Sequence, residues 1–364
     1  MDYMERAVSL AKLALGQVSP NPAVGAVIVK DGDIIGQGYT QPPGFSHAEI
    51  MALKEAGEYT SGAVMYVTLE PCCHFGRTPP CTKAIIAAGV KEVHAAMIDP
   101  NPQVNGEGLK ELEKAGIKTF IGEHADDAAE IIESYVKFIT TGRPFVTIKF
   151  AMSLDGKIAT RSGDSKWISG DESLRYVHFM RYTSDAVMVG VNTVLTDDPQ
   201  LTVRCSFRGG MAKKQPLRVV LDACGRTPPV ARVFNEPGNV LMVLGEKVNA
   251  VQKKVYVKLG AEILELPSKR GLIDLDKLML GLGQKQITSV LVEGGATLLG
   301  SLCDRNLVDK ATVFIAPIII GGEKARTAIG GKGVDKVVNS LKLERVKTKR
   351  SDGDMMITGY IGRK

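Results

Sequence analysis

Apolar residues recur along the chain with two periods, and the changes between the periods mark its elements. Met4, Val8, Ala11 and Leu15 follow one another at three- to four-residue intervals, so they share one face of a helix that Gly16 stops. Val24 to Val29 then run apolar, Asp31-Gly32 supplies a turn and Ile34 to Gly36 continue the pattern, which predicts a hairpin. Short strands are expected at Val64 to Leu69 and Val90 to Met97, with helices at about 47–56, 80–88, 105–115 and 125–139. A strand returning parallel to its neighbour needs a crossover, usually a helix, so the alternation predicts an α/β layer around a central sheet.

The pattern breaks at Thr140-Thr141-Gly142-Arg143-Pro144 and restarts with the apolar strand Phe145 to Phe150. Strand-like runs follow at Ala186 to Val191, Leu217 to Asp222, Val240 to Leu244, Ser289 to Glu293 and Ala311 to Ile320, with helical patterns between them. Two α/β domains, 1–143 and 144–364, are therefore expected, as a length of 364 residues also suggests. There is no internal repeat and no low-complexity segment. The longest apolar run, Ala311 to Gly322, has 12 residues, well short of the roughly 20 a membrane helix needs. Asp2 and Glu5 precede the first apolar run and Lys12 interrupts it, which is not how a secretory or transit peptide is written, so a cytoplasmic protein is expected.

Charge sharpens the division. The whole chain carries +6, yet residues 1–143 hold 12 Lys and Arg against 18 Asp and Glu, a balance of −6, while 144–364 hold 34 against 22, or +12. The second half is thus the one that attracts anions. Aromatic residues are only 5% of the chain, and the densest basic run, Arg345-Val346-Lys347-Thr348-Lys349-Arg350, contains none. The stacking platforms of a nucleic-acid binder are missing, so a deaminase joined to a nucleic-acid-binding domain is the weaker alternative. Six cysteines are too few for a disulfide scaffold, and three of them, Cys72, Cys73 and Cys81, fall within ten residues, which points to metal or catalysis in a reducing compartment.

His47-Ala48-Glu49, Pro71-Cys72 and Cys81 supply the chemistry of that cluster. One imidazole and two thiolates make the three-ligand set of a catalytic zinc, whose open fourth position holds a water with its pKa lowered to about 7. Glu49, two residues past the histidine and not a ligand, is expected to carry the proton from that water to a leaving amine. A His-x-Glu followed by Pro-Cys-x-x-Cys marks the zinc nucleobase deaminases. Here eight residues, Cys73 to Pro80, separate the two cysteines, and Pro79-Pro80 preset a helix start at Cys81. A fourth thiolate from Cys73 would close the site and make a zinc-stabilised binding protein; Cys73 is read instead as structural. His94, His124 and His178 fall outside the constellation.

With the segment Ser19-Pro20-Asn21-Pro22-Ala23-Val24-Gly25-Ala26-Val27 and the loop Pro71-Cys72-Cys73-His74-Phe75-Gly76-Arg77-Thr78-Pro79-Pro80-Cys81, these residues resemble a known family over nearly the whole chain. It is the family of bifunctional riboflavin-biosynthesis enzymes that fuse a diaminohydroxyphosphoribosylaminopyrimidine deaminase to a 5-amino-6-(5-phosphoribosylamino)uracil reductase. The resemblance implies an α/β fold in two parts, a cytidine-deaminase-like three-layer domain followed by a dihydrofolate-reductase-like α/β domain. It also implies Asn21, His74 and Arg77 as deaminase substrate contacts, while Thr40 stands where many members carry a histidine.

In the second half, Lys149 to Ala159, Ser162 to Ile168, Val189 to Pro199 and Val292 to Gly295 follow the order of the family's reductase. No Gly-x-Gly-x-x-Gly fingerprint follows a predicted strand, so a Rossmann site is not expected. Glu293-Gly294-Gly295 opening a helical pattern offers backbone N–H groups to a pyrophosphate instead. By resemblance NADPH is lined by Ala151, Trp167, Thr193, Asp197, Gly295, Ala296, Thr297, Leu298, Leu299, Gly300 and Ser301. The same resemblance puts Ser165, Arg181, Leu201, Arg204 and Glu293 at the substrate, with Arg181 and Arg204 suited to grip its phosphate as fork donors. The proton donor is Lys149 or Asp155.

The expected chemistry is hydrolytic deamination of 2,5-diamino-6-(5-phosphoribosylamino)pyrimidin-4(3H)-one at one Zn2+ per chain, then NADPH-dependent reduction giving 5-amino-6-(5-phosphoribitylamino)uracil. The expected partners are small phosphorylated pyrimidines and further copies of the chain in a homo-oligomer, with no nucleic acid and no membrane.

Overall fold

The structure is a computed structural model that describes residues 2–76, 78–166, 168–207, 210–211 and 214–362, so Arg77 and Trp167 lie outside the described residues. The chain divides between Arg143 and Pro144 into two compact units.

In the first unit α1 (Tyr3–Ala14) starts at Asp2, whose carboxylate accepts the Glu5 N–H at 3.0 Å, a cap worth about 1 kcal/mol. The helix buries Met4, Ala7, Val8, Leu10, Ala11 and Ala14. β1 (Gly25–Lys30) and β2 (Asp33–Tyr39) form the hairpin, with Asp31 and Gly32 both at positive φ in its turn. They are followed by α2 (Ala48–Ala56), β3 (Val64–Val67), α3 (Cys81–Ala87), β4 (Glu92–Ala95), α4 (Glu107–Lys114), β5 (Lys118–Ile121), α5 (Ala125–Ile131) and α6 (Glu133–Thr141). The sheet order is β2-β1-β3-β4-β5, with β1 antiparallel to both neighbours and β3, β4 and β5 parallel.

Strand alternation sends Ala26 and Ile28 into a core with Ala48, Ala52 and Ile85, and sends Val27 and Val29 into a second core with Met4, Ala7 and Leu10. Helices therefore cover both faces of the sheet, giving three layers and burying β1 along almost its whole length. Two expectations change. β5 was not predicted, because Lys118-Thr119-Phe120-Ile121 forms an exposed edge that no half-buried alternation marks. The helix predicted at 125–139 is two helices, because the backbone leaves helical geometry at Ile132, with φ −107° and ψ 19°.

The second unit contains β6 (Phe145–Ser153), α7 (Asp171–Thr183), β7 (Ala186–Gly190), α8 (Val191–Asp197) and a short ladder of β8 (Ser206–Phe207) and β9 (Gly210–Met211). It continues with β10 (Leu217–Asp222), β11 (Val240–Gly245), α9 (Ala250–Lys258), β12 (Ala261–Leu266) and the small hairpin β13 (Ser268–Lys269) with β14 (Leu272–Ile273). It ends with α10 (Leu275–Gln284), β15 (Ser289–Glu293), α11 (Ala296–Asp304), β16 (Lys310–Ala316) and a long hairpin of β17 (Leu343–Ser351) and β18 (Asp354–Ile361). The sheet order is β12-β11-β10-β7-β15-β6-β16-β18-β17. The first seven strands in that order are parallel, and β18 and β17 are antiparallel.

One face of this sheet packs Val146, Ile148 and Met188 against Leu278 and Leu299, and the other packs Val187, Val189 and Met242 against Tyr256. The carboxyl ends of β7, β10 and β15 lie along one edge, where open α/β sheets bind their ligands. The basic run 345–350 sits in β17, an edge strand exposed over most of its length, where charge opposes edge-to-edge pairing with other chains. Among the described residues no helix is long and apolar enough to cross a membrane.

Candidate active sites

Two helix starts and one loop build the candidate metal centre of the first unit. His47 is the N-cap of α2, Cys81 is the first residue of α3 after Pro80, and Cys72 lies in the loop between β3 and α3. His47 Nδ1 stands 3.6 Å from Cys72 Sγ and 3.4 Å from Cys81 Sγ. With Zn–S near 2.3 Å and Zn–N near 2.1 Å, a tetrahedral zinc sets its sulfur-to-nitrogen edge at about 3.6 Å, so the three residues fit that ion. Among the described residues no other group of three His, Cys, Asp or Glu side chains converges in this way.

Neighbouring groups set the centre's protonation. The Cys72 thiol is held down at about 4 by the hydrogen bond from Cys81, and His47 adds to this against the effect of burial. Cys81 is pushed up because the two sulfurs share one proton. The Cys81 N–H also points at Cys72 Sγ, 3.4 Å away, a donor suited to a thiolate. Glu49, in the first turn of α2, is buried beside this cluster, and burial raises its carboxyl above the usual range.

Two residues that the sequence reading did not single out support the ligands. Thr78 Oγ1 lies 3.3 Å from His47 Nε2, so the ring is held with Nδ1 toward the sulfurs. Glu70 is buried two residues before Cys72 and accepts the backbone N–H groups of Asp99, Gly106, Gly108 and Leu109, tying the first turn of α4 and the segment before it to the base of the cysteine loop. Of the expected substrate contacts, His74 lies in the cysteine loop with its Nδ1 buried and without a hydrogen-bond partner. Asn21 is half-buried in the turn before β1, its N–H bonded to the Val18 carbonyl. Thr40 is buried, and its hydroxyl bonds to the N–H and C=O of Val24.

The second unit has a cleft of about 920 Å³ along the carboxyl edge of its parallel strands. Ala151, Ser165, Thr193, Asp197, Glu293 and the segment Gly295 to Leu299 line it together with Ser301. Gly294 and Gly295 have φ of +93° and +84°, and a Cβ on Gly295 would come 3.2 Å from Thr193 Oγ1. Only glycine takes that turn freely, and it leaves the first N–H groups of α11 open to the cleft, a cradle suited to a pyrophosphate. Arg181, Leu201, Arg204 and Gly300 are not among the lining residues.

Arg181 is already occupied: its Nε and Nη2 donate to the two oxygens of Glu293 at 2.5 and 2.8 Å, and its Nη1 donates to the Thr202 carbonyl at 3.0 Å. Burial pushes the Glu293 carboxyl up, and the Arg181 guanidinium more than reverses this, leaving it below the usual carboxylate range. Lys149, opposite Glu293 in the pairing of β6 with β15, is half-buried in the cleft wall, and desolvation lowers its ammonium pKa despite Glu293. Asp155 differs, being held ionised at about 2 by the Ser153 hydroxyl and the N–H groups of Ile320 and Gly321. Arg204 is exposed, and its N–H bonds to His178 Nδ1, whose ring is held at about 4 by burial and by the charges of Arg181 and Arg204.

Comparison with known proteins agrees with this division. A family profile described as the RibD C-terminal domain matches residues 144–357, and one described as the cytidine and deoxycytidylate deaminase zinc-binding region matches residues 1–97. The riboflavin biosynthesis protein RibD of Aquifex aeolicus is 43% identical over 356 residues, covering 98% of this chain and 97% of its own. That of Escherichia coli is 42% identical over 346 residues, 93% of each chain. Among solved structures, Acinetobacter baumannii RibD matches with a TM-score of 0.89 at 38% identity, covering 99% of this chain and 98% of that one. A diaminohydroxyphosphoribosylaminopyrimidine deaminase/5-amino-6-(5-phosphoribosylamino)uracil reductase from Thermotoga maritima matches with a TM-score of 0.85 at 36% identity over the same shares.

Proposed function

The chain belongs to the RibD family of riboflavin-biosynthesis proteins, and we propose that its two activities divide at Arg143, with deamination in the first unit and reduction in the second. It is a bifunctional enzyme with a zinc-binding deaminase domain, cytidine-deaminase-like, and an NADPH-using reductase domain. The substrate we assign is 2,5-diamino-6-(5-phosphoribosylamino)pyrimidin-4(3H)-one, and the product after both steps is 5-amino-6-(5-phosphoribitylamino)uracil. The observation that carries this reading is the convergence of His47, Cys72 and Cys81 beside the buried Glu49, in a chain whose other unit holds a glycine-cradled cleft.

In the first unit, zinc held by His47, Cys72 and Cys81 supplies a Lewis acid that makes water ionise near neutral pH. Glu49 moves the proton from the attacking water to the departing 2-amino nitrogen, and ammonia leaves. Thr78 keeps His47 turned toward the sulfurs. Asn21, His74 and Arg77 remain the proposed substrate contacts, and the free Nδ1 of His74 offers a hydrogen bond to the pyrimidine or its ribose.

In the second unit, NADPH supplies a hydride to C1′ of the ribosyl group. Lys149 supplies the matching proton to the ring oxygen that leaves C1′, so the ribosyl becomes ribityl with its hydroxyl restored. Its place in the cleft lining, with a lowered pKa, favours it over Asp155, which stays ionised as an acceptor of three hydrogen bonds. Glu293 keeps the proposed substrate role, and Arg181 acts by fixing its carboxylate. That leaves the exposed Arg204 as the proposed fork for the sugar phosphate, and Ser165 and Leu201 keep their proposed substrate roles. The cofactor is assigned to Ala151, Trp167, Thr193, Asp197 and the stretch from Gly295 to Ser301. A cytoplasmic location and a homo-oligomeric form belong to the same proposal, and sedimentation of the purified chain tests the second.

The test of both functions is mass spectrometry of the purified protein with the diaminopyrimidinone phosphate. A gain of about 1 mass unit without NADPH and about 2 more with it is expected, for NH replaced by O and then for added H2. No mass change without NADPH would overturn the deaminase assignment.

A further inference from the structure

The cleft of the second unit contains a cation that its proposed chemistry leaves unused, and we propose that this residue, Arg226, reads the 2′-phosphate that distinguishes NADPH from NADH. The inference rests on the cofactor reading above and concerns the far end of the same cleft. The strand order β10-β7-β15-β6 fixes the direction. The Gly294-Gly295 cradle follows β15, and Lys149 faces Glu293 across β15 and β6, which puts the reducing end on the β6 side. A dinucleotide extends both ways from its pyrophosphate, so its adenosine half lies over the carboxyl ends of β7 and β10. The residues that line the cleft there include Asn192, Asp222, Cys224 and Arg226.

Charge then selects one residue. The Nη2 of Arg226 donates to Asn192 Oδ1 at 2.8 Å, a neutral amide that aims the guanidinium and leaves its charge uncancelled. The other cations of the lining are engaged or lie elsewhere. Arg305 pairs with Asp276 at 3.2 Å, and Lys149 faces Glu293. Lys166 sits in the segment after β6, and Arg326 is joined to that segment where its carbonyl accepts the Ile158 N–H at 2.9 Å. Arg226 is the cation on the β10 side.

The turn that carries Arg226 is also built to receive a sugar. Asp222 is fully buried, and its Oδ2 accepts both the N–H and the hydroxyl of Thr227 at 2.7 Å, closing the turn. Gly225 within it has φ +70°. Asp222 Oδ1 has no hydrogen-bond partner. A buried acceptor left unmatched costs free energy until a donor reaches it. A ribose with a 2′-phosphate and a free 3′-hydroxyl brings one anion and one donor, and this turn offers one cation and one acceptor. The ribose of NADH brings nothing for the guanidinium.

Binding of NADPH and of NADH to the purified full chain, each measured by calorimetry, tests the assignment. The wild-type chain is expected to bind NADPH more tightly. Arg226→Gln should raise the Kd for NADPH by roughly 10- to 100-fold, the worth of one charged hydrogen-bonded contact, and leave the Kd for NADH unchanged. Arg226→Lys should recover part of the loss, since it restores the charge without the fork. The retained NADH affinity shows in the same experiment that the cleft is still folded. An equal fall for both coenzymes, or a variant that keeps the wild-type preference, overturns the role of Arg226. A wild-type chain that binds neither coenzyme overturns the cofactor reading beneath it.

Discussion

The two units place their chemistry in different ways. The first concentrates it in four side chains at two helix starts and one loop, with 3.4 to 3.6 Å between the ligand atoms of His47 and the two cysteines. The second spreads it along the edge of a nine-stranded sheet, in a cleft of about 920 Å³ lined from several strands, helices and turns. A metal needs particular ligand atoms at fixed distances, whereas a dinucleotide needs backbone donors, a groove and a few charges. The first site should therefore fail abruptly when one atom is changed, and the second should fail in parts.

The largest effect is expected at Glu49. Glu49→Gln keeps the shape of the side chain and removes its proton transfer, so ammonia release should fall by about 1,000- to 10,000-fold while one equivalent of zinc stays bound. Reduction of the deaminated intermediate with NADPH should be unchanged, because Glu49 belongs to the other unit. A matching loss of reductase activity would break the proposed division between the units.

Lys149→Met comes next. It replaces a half-buried ammonium by an apolar chain of similar length, and the reduction rate should fall by about 100- to 1,000-fold, with the calorimetric Kd for NADPH unchanged. A fall in NADPH affinity with an unchanged rate at saturation would make Lys149 a binding residue and return the question of the proton donor.

What could be read from the sequence follows the same contrast. His47, Glu49, Cys72 and Cys81 stood out because zinc chemistry restricts residue types and their spacing is local. Thr78 and Glu70 did not, because they act on the ligands through contacts made only in the fold, 31 residues from His47 in one case and 29 to 39 residues from its backbone donors in the other. In the second unit Gly294-Gly295 was visible as a glycine pair before a helix, yet the engagement of Arg181 by Glu293 spans 112 residues and has no local sign. Arg226 was hidden for a related reason, since a cation in a surface turn is ordinary until the sheet order shows which turn borders the cleft. Strands with long apolar runs, such as β1, β7, β10, β11 and β15, were legible, whereas β5, β12, β17 and β18 were not, because their charged and polar residues interrupt the apolar pattern.

A smaller effect should come from Thr78→Val, which removes the hydroxyl at His47 Nε2 and keeps the volume. Zinc affinity, measured by competition with a chromogenic chelator, should fall by about 10-fold, and Thr78→Ser should restore it. Equal affinity in Thr78→Val and the wild type would mean that the sulfurs alone orient the ring, and the first site would then be as tolerant of its surroundings as the second.

The smallest effects lie away from both reactions and have opposite signs in the two units. His178, in the second, is held at about 4 by burial and by Arg181 and Arg204, below the 6.5 of a free imidazole. Between those values the unfolded chain binds the proton and the folded chain does not, so stability falls as pH drops from about 6.5 to 4. Because the ring is only half-buried, screening reduces the effect to about 1 to 2 kcal/mol. His124, in the first unit, is raised to about 8 by Asp127, 3.0 Å away, and by Asp2, 2.8 Å away. Its contribution is complete below pH 6.5 and is lost as pH rises through 8. Its two carboxylate partners are exposed and screened by solvent, so the effect should be the slighter of the two. Melting of the full chain across pH should thus show His178→Gln gaining on the wild type as the solution is acidified below 6.5. His124→Gln should trail the wild type in acid and meet it above pH 8. If both variants moved in the same direction on acidification, the electrostatic contrast would be wrong for one histidine, and the variant moving against its expected sign would show which.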